Sequence, residues 1–233
     1  MIKCKINHLA YYNFHNQHLE IKNILKKFFY QLSRIMDEGY IKYQIFQNHI
    51  LPDFGVETQT LLEARNMLFK LKLIGAYQDG TGYGNMSLRI DNSLQFIITG
   101  SKTGHIPVLT NKQLVLVSST DLQNNSLHCE GIFAASSESL THAAFYQVDN
   151  HIKSVIHVHH QGFWKHFLHQ LPTTSKSILY GTQQMADEVF RLMHSSDLPE
   201  KKSCSQKGMQ MEYLFLANLC KRLLIFVKII LIK

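Results

Sequence analysis

His157 and His159 stand two residues apart in KSVIHVHH, a run whose Val and Ile content predicts a β-strand. Alternate strand residues share a face, about 7 Å apart at ~3.3 Å per residue, so the two imidazoles can converge on one metal ion at roughly 2.0–2.1 Å per Zn–N bond. A pair of hydrogen-bonded histidines near a strand end satisfies the same spacing, and a metal needs further ligands. Glu138 follows Ser136 and Ser137 in ASSESLTHAAFYQV, where a helix opened by serine is expected with the acid in its first turn. Two hydroxyls and the outward N–H groups of a helix start can hold an anion, with the carboxylate alongside as a base. Ordinary capping by Ser136 or Ser137 explains the same residues. His142, four residues on, shares the helical face of Glu138 and could orient it or pack elsewhere. His105 and His160 are peripheral candidates.

These groups need a scaffold. TQTLLEARNMLFKLKL puts Leu61, Leu62, Ala64, Met67, Leu68 and Leu71 near helical spacing, with Thr58 or Thr60 as cap. GAYQDGTGYGN is glycine-rich, and MSLRI and LQFIIT around Asp91-Asn92 predict a hairpin. QLVLVS predicts another strand and ADEVFRLMH another helix. Gly82-Tyr83-Gly84-Asn85 and Thr103-Gly104 read by themselves as turns.

Composition narrows the classes. The 233 residues are 45% hydrophobic, enough for a packed core. The net charge of +7 lies in the flanks, 1–35 and 201–233, while 36–200 is mildly acidic, so no nucleic-acid partner is expected. Cys4, Cys129, Cys204 and Cys220 form no CxxC pair, and no cleavable leader pattern opens the chain, so a reduced, cytoplasmic protein is expected. LLIFVKIILI is short and interrupted by Lys228, so no membrane span is expected.

In order along the chain, GYGNMSLR, IITGSKTG, ASSESLTHAAFY, VIHVHH and YGTQQMADEV resemble the class II aldolase/adducin family of zinc-dependent sugar-phosphate aldolases and epimerases. The likeness spans roughly Leu61 to Leu192. It implies an α/β fold with αβα layers around a central, mostly antiparallel sheet. Asn85, Thr103, Gly104, Ser136 and Ser137 then resemble the substrate-phosphate loops, Glu138 the catalytic carboxylate, and His157 and His159 two of the zinc ligands. The implied reaction is aldolase-type cleavage or formation of a C–C bond in a small phosphorylated sugar, with Zn2+ acting as a Lewis acid, an enediolate forming and Glu138 moving the proton. An epimerase or dehydratase on the same scaffold, or a non-enzymatic adducin-like interaction module, are the alternatives. The resemblance also implies a homo-oligomer, a tetramer by family likeness.

Three parts are expected: an N-terminal extension at 1–35 that offers an amphipathic helix, the aldolase-like domain at 36–200, and an aberrant tail at 201–233. The resemblance implies a third zinc histidine in a GHxDG segment, and none follows Tyr180. Lys207 to Ile225, back-translated and read one base earlier, permits GHADGIFIFGKSLQEAFN. A frameshift between about Pro199 and Gly208 is therefore expected. The protein as written should lack a core strand and helix, expose apolar surface and bind zinc poorly, which leaves an inactive copy of the enzyme as an open alternative.

Overall fold

The computed structural model describes Lys22 and residues 39–168, 170–206 and 212–217. The expected helix of the N-terminal extension lies outside the described residues. The chain divides into two units, Met1–Glu38 and Gly39–Lys233. The second unit holds β1 (Gln44–Asn48), α1 (Glu57–Lys70), β2 (Gly75–Ala76), β3 (Gly82–Tyr83), β4 (Asn85–Arg89), β5 (Phe96–Thr99), β6 (Leu114–Asp121) and β7 (Ser126–Glu130). It continues with α2 (Ser139–Val148), β8 (Ser154–His159), α3 (Gln161–Phe167), α4 (Gln183–Ser195), α5 (Leu198–Lys201), β9 (Ser203–Gln206) and β10 (Glu212–Ala217).

Eight strands form one sheet in the order β1-β7-β6-β5-β4-β8-β10-β9, and β2 and β3 form a separate ribbon. Among the described strands β1 and β7 pair in parallel and the other neighbouring pairs are antiparallel. The expected hairpin is present, with Asp91 in the left-handed region at φ 50° inside its turn.

Strand alternation sorts the side chains into two layers. Met86, Ile97, Ile156 and Val158 pack with Leu61, Leu62, Ala64 and Leu68 of α1 on one face. Phe96, Ile98 and Val155 pack on the other face with Leu140, Ala144 and Phe145 of α2 and Ala186, Val189 and Leu192 of α4. This is the expected αβα arrangement around a mostly antiparallel sheet. Met67 and Leu71 are only half-buried, and the expected threonine cap of α1 is replaced by Val56 with no side-chain cap. Thr58 instead donates to the Gly55 carbonyl at 2.9 Å.

The expectation that the tail leaves the sheet a strand short is corrected. β10 pairs with β8 from Glu212 opposite His159 to Ala217 opposite Ser154, and β9 pairs with β10. Leu214 and Leu216 are buried in the core. The physical reason is that EYLFLA is aromatic and apolar enough to fill a strand position beside β8.

Candidate active site

The site is built where β8 ends. His157 and His159 are both buried, project to the α2 face, and have ring centroids 4.8 Å apart. The neighbouring strand places Asn85 opposite His157. Gly84, just before it, has φ +73°, and an added Cβ would lie 2.8 Å from Ile74 Cγ1 and 3.0 Å from the His157 carbonyl oxygen. Only glycine brings the chain into Asn85 this close to β8 without strain.

The start of α2 supplies the acid. Glu138 is itself the N-cap residue, at φ −104° and ψ 11°, and not a first-turn residue behind a serine cap. Ser136 holds the turn through its carbonyl, which accepts from Ser139 N at 2.9 Å and Ser139 Oγ at 2.7 Å. The Tyr43 hydroxyl donates to the Ser136 carbonyl at 2.8 Å and approaches that of Ala135 at 3.1 Å. Burial pushes the Tyr43 phenol well above its usual range, so it stays a neutral donor there.

Glu138 Oε2 meets His157 Nδ1 in a short contact, and Asn85 Nδ2 lies 3.3 Å from the same oxygen. Burial is the largest single influence on this carboxyl and raises its pKa. The combined pull of His157, His142 and Asn85 wins and holds it below the usual carboxylate range. Glu138 Oε1 is buried without a hydrogen-bond partner among the described residues. The His142 backbone N–H donates to the Glu138 carbonyl at 3.1 Å, but its ring turns elsewhere. Its Nδ1 lies 2.7 Å from Ser87 Oγ, which lies 2.6 Å from Tyr146 Oη. Burial first, opposed by Glu138, brings the His142 pKa down to about 3, so the ring is neutral.

The loop after β5 joins the same end of the sheet. Gly100 bridges Ala135, and Ser101 N donates to the Ala134 carbonyl at 2.8 Å, which sets this loop beside Ser136 and Ser137. Thr103 Oγ1 donates to the Gly100 carbonyl at 2.7 Å. Gly104 packs so tightly that an added Cβ would lie 2.2 Å from the Gly75 carbonyl oxygen and 2.9 Å from Gly82 Cα. Arg65 of α1, fully buried, donates to the carbonyls of Thr103 at 3.1 Å, Gly104 at 3.2 Å and Pro107 at 3.2 Å, and also to that of Ile106. Burial lowers its pKa to about 10, still far above neutrality, so a guanidinium ties the loop down.

Asn85, Glu138, His157 and His159 are thus brought together, with Ser136, Ser137, Thr103 and Gly104 on adjoining loops. His105 is exposed and His160 half-buried just past β8. Sequence reasoning missed Arg65, Tyr43 and Tyr77, whose hydroxyl lies 2.8 Å from His159 Nδ1. An arginine inside an otherwise apolar helix face was the one available signal, in LLEARNML.

The donor set suits a divalent cation. Nδ1 of His157 faces Glu138 and Nδ1 of His159 faces Tyr77, so each ring would offer Nε2, and two imidazoles with a nearby carboxylate match zinc chemistry. Among the described residues no group of three or more His, Cys, Asp or Glu is placed to hold a metal, and 207–211, where a third ligand is expected, lie outside them.

An αβα fold that gathers two strand histidines and a helix-start glutamate beside glycine-rich loops defines a class of site, and sequence comparison names the family. Residues 61–176 match the model of the Class II Aldolase and Adducin N-terminal domain, and through this domain the chain belongs to the class II aldolase and adducin family. Among solved structures it is similar to an L-fuculose 1-phosphate aldolase, at 19% identity over 71% of this chain and 76% of that one, with a TM-score of 0.52. YgbL from Escherichia coli, described as a putative aldolase/epimerase/decarboxylase, is similar at 14% identity over 70% of this chain and 79% of that one, with a TM-score of 0.47. No curated protein matches the chain. Among the described residues no helix is long and apolar enough to cross a membrane.

Proposed function

We propose that the chain is a zinc-dependent aldolase-type lyase acting on a small phosphorylated sugar, working as a cytoplasmic homo-oligomer. The observation that carries this reading is the division of labour on Glu138. Oε2 is engaged by His157 and Asn85, while Oε1 is buried with no partner among the described residues. A buried, ionised oxygen beside two histidines is suited to take a proton from a substrate carbon.

His157 and His159 would hold the zinc, which when bound supplies Lewis acidity to the substrate's carbonyl and hydroxyl oxygens. Glu138 Oε1 accepts the proton and returns it. Asn85 keeps the carboxylate in place by donating to Oε2. Asn85, through the same amide group, joins Ser136, Ser137, Thr103 and Gly104 in holding the phosphate, with the loop around Thr103 fixed by Arg65. Binding energy from that remote group then positions the reacting carbons against Oε1.

Solvent-proton exchange into dihydroxyacetone phosphate tests the reaction. Exchange that requires added zinc and disappears in His157→Ala supports the aldolase. Zinc binding without exchange favours the epimerase or dehydratase reading, and neither zinc binding nor exchange favours an adducin-like interaction module.

A further inference from the structure

Tyr77 has no assigned role, yet its hydroxyl lies within hydrogen-bond distance of one of the two histidines. It follows β2 directly, and the ribbon closes around it: Tyr77 N donates to the Thr81 carbonyl at 2.8 Å and Gly80 N to the Tyr77 carbonyl at 3.0 Å. The backbone just before this ribbon is tied to the end of β8, since His159 N donates to the Leu73 carbonyl at 3.0 Å. Tyr77 Oη lies 2.8 Å from His159 Nδ1, and the two rings meet edge-on with centroids 6.2 Å apart. Tyr83, from the partner strand of the ribbon, lies 4.7 Å from the Tyr77 ring and 5.2 Å from the His159 ring. Gly75 makes room for it, because an added Cβ there would lie 2.6 Å from Tyr83 Oη.

We propose that Tyr77 is a positioning residue that holds the ring orientation of His159 and accepts its Nδ1 proton when Nε2 binds a divalent cation. A neutral imidazole carries one N–H. With its proton on Nδ1, His159 donates to the Tyr77 oxygen and presents the Nε2 lone pair; with the proton on Nε2 it cannot ligate through that atom. A phenol donates as well as accepts, so either tautomer can make this bond in the free protein; once a cation takes Nε2, the proton stays on Nδ1 and the phenol oxygen accepts it, holding the ring in its ligating orientation as hydrogen-bond partners of metal-bound histidines generally do. Glu138 does this for His157, so the two ligands are oriented by different elements: one by the start of α2, the other by the β2–β3 ribbon.

This inference rests on the zinc reading of the site, and the test separates the two. The zinc affinity of the full chain, of Tyr77→Phe and of His159→Ala is measured by competition with a colorimetric chelator, together with the melting temperature of each zinc-free protein. Tyr77→Phe removes only the hydroxyl and is expected to weaken zinc binding roughly 10–100-fold while the zinc-free melting temperature stays unchanged. Undiminished affinity in Tyr77→Phe, with binding lost in His159→Ala, overturns the role of Tyr77 and leaves the zinc site standing. A zinc-free melting temperature that falls along with affinity marks Tyr77 as a packing residue and overturns the proposal as well. Absence of zinc binding by the unmodified chain, or binding indifferent to His159→Ala, overturns the zinc reading and this inference with it.

Discussion

Asn85 and His157 face one another across β4 and β8, and Asn85 Nδ2 lies 3.2 Å from His157 Nδ1 as well as 3.3 Å from Glu138 Oε2. His157 Nδ1 cannot donate to Glu138 and accept from Asn85 at the same time. The carboxylate is the stronger partner, so the Nδ1 proton goes to Oε2 and the Asn85 amide bonds to Oε2 alongside it. The carboxylate–histidine pair is therefore held from two strands and a helix start, and Oε1 is left without a hydrogen-bond partner among the described residues.

Replacing Glu138 by Gln keeps the shape of the side chain and removes the base. Turnover, read as proton exchange into dihydroxyacetone phosphate, should fall by roughly 10²–10⁴-fold with the fold intact by circular dichroism. An unchanged exchange rate would remove Glu138 from the mechanism.

His142 gives the structure a pH signature of its own. Its folded pKa, about 3, lies below the ordinary histidine value because burial disfavours the charged ring. Between about pH 6.5 and pH 3 the unfolded chain binds the proton and the folded one does not. Stability from this residue is thus fully present above pH 6.5 and declines as pH falls through that window, by at most about 1.4 kcal/mol per pH unit. Urea unfolding at a series of pH values should show this slope, and His142→Gln should flatten it. A slope unchanged by His142→Gln would mean that other groups set the acid sensitivity.

Much of the scaffold was legible because periodicity is local. The alternation in MSLRI and LQFIIT gave the hairpin, and the spacing from Leu61 to Leu68 gave the α1 face. The shared face of His157 and His159 follows from a strand's two-residue repeat. Legibility stopped at contacts between distant segments. Arg65 reaches the carbonyl of Thr103, 38 residues away, and Tyr43 reaches that of Ser136, 93 residues away. β1 and β7 are short and partly polar, QIFQN and SLHCE, and their parallel pairing has no local signal. Serine is the commoner cap, which predicts Glu138 in the first helical turn; here Glu138 is itself the cap residue, with the Ser136 carbonyl accepting from Ser139 and the Ser136 hydroxyl 3.5 Å from Glu138 N.

Arg65 is expected to matter for loop order more than for charge. Arg65→Met would leave carbonyls of the 103–107 loop buried without a donor, at about 1–3 kcal/mol for each unsatisfied group. For a chain of this size each kcal/mol lowers Tm by roughly 2–4 °C. Lys cannot reproduce the fork, so Arg65→Lys should recover only part of the loss. In activity assays both variants should raise KM for the phosphorylated substrate more than they lower kcat. Equal Tm values for Arg65→Met and the unmodified chain would show that the loop holds without it.

The tail carries the last prediction. β10 enters the sheet at Glu212, opposite His159, and runs back along β8 to Ala217. The string permitted by the shifted reading frame, GHADGIFIFGKSLQEAFN, is also rich in aromatic and branched residues where the strand lies, so either frame can supply a strand beside β8. What differs is the histidine before it. A third protein ligand is what a catalytic zinc site ordinarily requires, so two histidines should bind zinc weakly. Resequencing the gene across the codons for Leu198 to Lys233 tests the frameshift directly. At the protein level, a chain carrying the shifted string in place of residues 207–225 should purify with one chelator-resistant zinc per chain, while the chain as written should lose its zinc on dialysis against a chelator. Stoichiometric, chelator-resistant zinc in the chain as written would sink the frameshift and point to a ligand already present in it.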